Sequence, residues 1–104
     1  MVRFKVLLMA DEIRLGGNIV LNGFEELSSA EAVVAKKIIG GYARKFSDNI
    51  EGYKEMEVNL EKDDSFKLKS IVVSESNSFE AEAKDSNAFV ALGKALNKLE
   101  EKTL

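Results

Sequence analysis

The sequence predicts a two-layer α+β sandwich: a mainly antiparallel sheet of four to five strands with two helices packed on one face, in the order β-β-α-β-β-β-α. Three observations predict it. Three segments between residues 54 and 84 alternate apolar and polar side chains with the period of a strand. Two others, beginning near Ser28 and near Ser86, carry a capping residue followed by apolar positions at helical spacing. The chain has 104 residues and no Pro-rich, Ser-rich or repeated stretch to divide it, which suits one core and a single domain over residues 1–104. Strands with one polar face and helices with one apolar face bury that surface most simply when both helices cover the same side of the sheet.

Val2, Phe4 and Val6 alternate with Arg3 and Lys5, which predicts an opening strand, and Leu7-Leu8-Met9 suits burial on both sides or a bulge. Residues 10 to 15 fit either a hairpin arm or one helical turn stopped by Gly16, and Gly16-Gly17-Asn18 is a turn signal. Residues 1–17 therefore read as an extra N-terminal strand or hairpin ahead of a core over residues 18–104. Asn18 to Phe24 is the next strand. Ser28-Ser29-Ala30-Glu31 fits a capping box that starts the first helix. Ala30, Val34, Ile38 and Tyr42, with Val33 beside them, are its expected buried stripe. Gly40-Gly41 interrupts that stripe, and two adjacent glycines cost a helix roughly 2 kcal/mol relative to alanines. Either the helix ends near Ile39 and restarts, or the glycines allow a close backbone approach.

Lys54 to Glu61 is the cleanest strand, with Met56, Val58 and Leu60 on one side and Glu55, Glu57, Asn59 and Glu61 on the other. Lys62-Asp63-Asp64-Ser65 turns the chain into a strand over Phe66 to Ser74. There the apolar pattern slips from Phe66 and Leu68 to Ile71 and Val73, so a bulge is expected near Ser70. After the turn Glu75-Ser76-Asn77-Ser78, Phe79, Ala81 and Ala83 alternate with Glu80, Glu82 and Lys84. Ser86 or Asp85 caps the last helix, whose buried stripe is Phe89, Leu92, Leu96 and Leu99.

Composition excludes most catalytic chemistry. The chain has no cysteine and no histidine, which removes disulfides, thiolate nucleophiles, cysteine-based zinc sites and the usual neutral-pH proton shuttle. No serine sits in a Gly-x-Ser-x-Gly turn. Asp63-Asp64 with Glu61 lacks the spacing of a calcium loop, and neither glycine pair makes a phosphate loop. The expectation is a protein that is not an enzyme, with no metal and no cofactor. No apolar run exceeds the length of Val6 to Ala10, far below the roughly 18 residues of a spanning helix. Asp11 and Glu12 follow it where a signal peptide carries small residues, so no membrane association and a cytoplasmic location are expected.

Net charge is −3, so attraction to phosphate must come from a local patch. Lys94, Lys98 and Lys102 stand four apart on the last helix. On the first, Lys37 and Arg44 share a line flanked by Lys36 and Lys45. From Ser29 to Phe46 four basic residues face Glu31 alone, whereas Glu51 to Asp64 holds six acidic residues against Lys54 and Lys62. The helices are thus expected to lean positive and the open sheet face negative. A basic helical layer suits contact with backbone phosphates, and the same lysines also suit plain solvation, their stems covering apolar edges. The candidate RNA-binding residues are Lys36, Lys37, Arg44, Lys45, Lys94, Lys98 and Lys102.

From about Ile19 onward the sequence resembles the bacterial ribosome hibernation-promoting factor family, also called protein Y. The resemblance rests on Asn22-Gly23 closing a strand, Ser28-Ser29-Ala30 opening a helix, and Phe46-Ser47-Asp48-Asn49-Ile50 leading into the meander. It is strongest where Ala88-Phe89-Val90-Ala91-Leu92 runs on to Asn97-Lys98-Leu99-Glu100. It departs at Glu101, where the family typically has Arg, at the Gly40-Gly41 pair, where the family helix is continuous and charged, and over Met1 to Gly17, which has no counterpart. The resemblance implies a β-α-β-β-β-α domain related in outline to the double-stranded RNA-binding domain. It also implies a partner, the small ribosomal subunit or a structured RNA, gripped by the seven basic residues so that translation is blocked. A different reading of the residues is a self-assembling module, in which the extra N-terminal strand pairs with a second copy to form a homodimer.

Overall fold

The computed structural model describes residues 12–15 and 18–103, with side chains from residue 18 onward. The strand expected over Val2 to Val6 lies outside them. In chain order the described elements are β1 (Glu12–Leu15), β2 (Ile19–Asn22), a 3₁₀ turn (Phe24–Glu26), α1 (Ser29–Asn49), β3 (Tyr53–Lys62), β4 (Phe66–Ser74), β5 (Ser78–Asp85) and α2 (Ala88–Thr103). Residues 12 to 15, open between hairpin arm and helical turn, are strand: Glu12 lies opposite Asn22 and Leu15 opposite Ile19. The sheet order is β1-β2-β3-β4-β5. Every neighbouring pair is antiparallel except β2 and β3, which run parallel because α1 carries the chain back across the sheet between them.

Alternation decides which side of each strand is dry. Met56, Val58 and Leu60 of β3 point inward with Leu68 and Val72 of β4 and Ala81 and Ala83 of β5. They form one cluster with Ala35, Ile39, Ala43 and Phe46 of α1 and Ala91, Leu92, Ala95, Leu96 and Leu99 of α2. Both helices therefore cover the same face, giving the expected two-layer α+β arrangement. Small residues on α2 and β5 let that helix sit close on the sheet. At Gly23, where φ is +83°, a Cβ would run into the Leu60 carbonyl oxygen, so only glycine lets the chain leave β2 against β3.

Several expectations are corrected. Ala30 is exposed, and Val33 and Val34 are 52% and 48% exposed; the buried line of α1 is Ala35, Ile39, Ala43 and Phe46, with Ile38 and Tyr42 packed beside it. A strict i+4 row winds about 40° around the helix at each step, so a row that reaches the core's flank at Ile38 and Tyr42 begins on the solvent side at Ala30. The helix also runs unbroken through Gly40-Gly41, and among the described residues no atom outside the helix's own backbone lies within 4 Å of a Cβ placed on either, so the pair neither breaks the helix nor admits a close neighbour among those residues. Packing by Ile39, Ala43 and Phe46 outweighs the propensity cost.

No bulge occurs near Ser70. The register of β4 with β5 is continuous from Phe66 to Val73, and the irregularity lies between Tyr53 and Glu55 of β3. Ser70 is a fully buried residue in phase with Leu68 and Val72. Its hydroxyl is 3.2 Å from the Ala95 carbonyl of α2, to which it donates, and 3.4 Å from that of Ala81. A polar residue on the dry face is tolerated because it is hydrogen-bonded. The cap of α2 is neither Ser86 nor Asp85 but Asn87, whose side-chain oxygen accepts from the N–H groups of Phe89 at 2.8 Å and Val90 at 3.1 Å. Asp85 fixes the cap by accepting from the Asn87 N–H at 2.8 Å.

Candidate nucleic-acid interface

The helical layer is two neighbouring helices running in the same direction. Ala35 near the start of α1 shares a small apolar cavity with Phe89 and Leu92 near the start of α2. Further on, Lys45 of α1 meets Glu100 of α2. With the buried sides fixed by the core, the remaining faces of each helix follow from 100° per residue. The seven predicted cations separate into three groups.

Lys37 and Arg44, two turns apart, are exposed on the outer face of α1, and Lys36 is half-buried on its flank. Among the described residues none of the three joins an ion pair. Lys45 is turned toward α2. Its ammonium group lies 2.9 Å from Glu100 Oε2 and 5.3 Å from the centroid of the Tyr42 ring. The hydrogen bond to Glu100, followed by its charge, holds the Lys45 pKa above the ordinary lysine value. This cation ties the two helices together.

The α2 lysines lie on the side away from α1, over β5. Lys94 is 3.5 Å from Asp85 Oδ1. Lys98 donates to the Glu82 carbonyl at 3.1 Å, and Lys102 donates to the Glu80 carbonyl at 2.6 Å. The Asp85 carboxylate is held below its ordinary pKa, chiefly by the Asn87 backbone N–H and further by Lys94. Thus the seven residues do not form one continuous positive field. Among the described residues the α1 line meets no counter-ion, whereas Lys45, Lys94, Lys98 and Lys102 already have internal partners.

The open sheet face is less one-sided than the charge count of β3 suggests. Glu55, Glu57 and Glu61 of β3 share it with Lys67 and Lys69 of β4 and Glu80, Glu82 and Lys84 of β5. Lys67 pairs with Glu82 at 2.8 Å and Lys69 with Glu80 at 3.7 Å, diagonally across the strands. The hydrogen bond between Lys67 and Glu82 raises the lysine pKa and lowers that of the carboxylate. At the β3–β4 tip the Lys62 ammonium sits 5.4 Å from the centroid of the Phe66 ring. This cation belongs to neither helical charge line and stands at a turn, so the spacing of basic residues does not reveal it. Among the described residues no group of three carboxylates gathers as a metal site, and no helix is long and apolar enough to cross a membrane.

No family model and no curated protein matches the chain. Among solved structures it is similar to the N-terminal domain of Thermus thermophilus protein Y. The TM-score is 0.61 and the identity 16%, with 86% of this chain and 94% of that one covered. The chain has the fold of the protein Y N-terminal domain. The resemblance noted in the sequence is thereby met at the level of structure. At 16% identity the likeness to protein Y is one of fold.

Proposed function

We propose that this protein is a non-enzymatic, ribosome-associated RNA-binding factor that acts by occupancy, in the manner the hibernation-factor resemblance implies. One conjunction supports the reading: a fold that covers 94% of the protein Y N-terminal domain presents Lys37 and Arg44 outward on α1 with no internal counter-ion among the described residues. A cation with no internal partner can neutralise a phosphate without first breaking an ion pair, so its charge is fully available for counter-ion release. Lys36, Lys37 and Arg44 supply the first contacts. Lys45, Lys94, Lys98 and Lys102 add less, since each must exchange a protein partner for a phosphate. Such contacts position a protein on RNA without reading its sequence, which suits an action by occupancy. A ribosomal partner makes the protein cytoplasmic.

Co-sedimentation with purified small ribosomal subunits tests the reading. The protein is expected to pellet with the subunit at low salt and to be released as salt rises, and a Lys37→Glu/Arg44→Glu variant is expected to stay in the supernatant. Protein that remains in the supernatant at every salt concentration contradicts the proposal.

A further inference from the structure

We propose that the outer edge of β5 is a strand-pairing surface for a second copy of this chain, and that Lys98 and Lys102 keep it closed. Among the described strands β5 is last in the sheet order and pairs only with β4. In an antiparallel pair the N–H and C=O of one residue point to the same side and those of the next point away. The Ala81 carbonyl faces β4, where the Ser70 hydroxyl lies 3.4 Å away, so the groups of Glu80, Glu82 and Lys84 face outward. Two of those outward carbonyls are the acceptors of Lys102, at 2.6 Å, and Lys98, at 3.1 Å.

The match follows from geometry. Four helical residues rise about 6.0 Å and two strand residues about 6.8 Å, so lysines at i and i+4 on α2 meet alternate carbonyls of a strand beneath. An incoming strand would find these acceptors already engaged and two ammonium groups in its way, the device by which lysines guard sheet edges. Without the lysines, the edge fits its own copy. A two-fold axis at Glu82 sets Glu80 opposite Lys84 twice, places all outward-facing residues at hydrogen-bonding positions, and brings together two Glu82 side chains, each already paired with Lys67 at 2.8 Å. This role is independent of any RNA contact.

The test is sedimentation velocity over a concentration series, with hydrogen exchange read at the Glu80, Glu82 and Lys84 amides. In a Lys98→Ala/Lys102→Ala variant, which keeps helix propensity, the mass is expected to double as concentration rises while those three amides become protected. The wild type and Lys94→Ala are expected to stay at the monomer mass. A folded double variant that remains monomeric, a wild type already paired through β5, or a dimer that leaves the three amides unprotected would each overturn the proposal. Should the alanine variant fail to fold, Lys98→Gln/Lys102→Gln removes the charges at nearly the same length and is judged by the same outcomes.

Discussion

Glycine has opposite consequences at two places in this chain. At Gly40 and Gly41 the backbone is helical, and among the described residues a Cβ would meet nothing within 4 Å outside the helix's own backbone. Alanine at either position is expected to raise stability by about 0.5–1 kcal/mol, seen as a melting temperature higher by several degrees. At Gly23, with φ +83° and the Leu60 carbonyl in the way, alanine is expected to lower it sharply. Thermal unfolding of the three single variants checks the pair of signs. In the core, Leu96→Ala is expected to cost about 2–5 kcal/mol, measured by urea unfolding, because Leu96 of α2 is fully buried. Leu96 was legible from the spacing of Phe89, Leu92, Leu96 and Leu99. Ser70 was not, because alternation scores a serine as polar and cannot see the Ala95 carbonyl that accepts its proton.

The elements were legible where one signal dominated. Alternation over Lys54 to Glu61 placed both faces of β3 correctly, and the Ser28–Glu31 capping box is present, with hydrogen bonds of 2.9 and 3.2 Å. The phase of α1 was not legible, since the i+4 row from Ala30 to Tyr42 starts on the solvent side and only winds inward, and a packing partner decides where the core line falls. At the start of α2 the sequence offers Ser86 or Asp85 as the cap, and only geometry shows that Asn87 accepts from the first N–H groups while Asp85 braces it. Asn87→Ala is expected to cost about 1 kcal/mol of stability, measured by denaturant titration. Acid should weaken the same region. Folding holds Asp85 and Glu82 below their ordinary pKa values, so their contribution is present above about pH 4 and is lost as pH falls below it. The urea midpoint is expected to drop between pH 6 and pH 3, and Asp85→Asn/Glu82→Gln is expected to narrow that drop.

For the whole molecule, charge placement mattered more than charge count. The one-dimensional pattern grouped seven basic residues into two helical stripes. Packing divides them: Lys45 bridges to Glu100, Lys98 and Lys102 lie on the β5 edge, and the line of Lys37 and Arg44 faces out. The stripes were visible because helical spacing is local. Their partners were not, because Glu100 is 55 residues from Lys45, and Glu80 is 22 from Lys102. The α+β class, by contrast, followed from element types and their order, which a short chain with one core leaves few ways to arrange.

The most direct measurement is the affinity of the protein for small ribosomal subunits across a salt series, compared with Lys37→Glu/Arg44→Glu and with Lys94→Glu/Lys98→Glu/Lys102→Glu. The α1 variant is expected to lose most of the low-salt affinity and to flatten the slope of log K against log salt by about one to two units. The α2 variant is expected to lose less, although it changes more charges. Slopes that are the same for all three proteins, or a wild type that does not bind at low salt, would contradict the account.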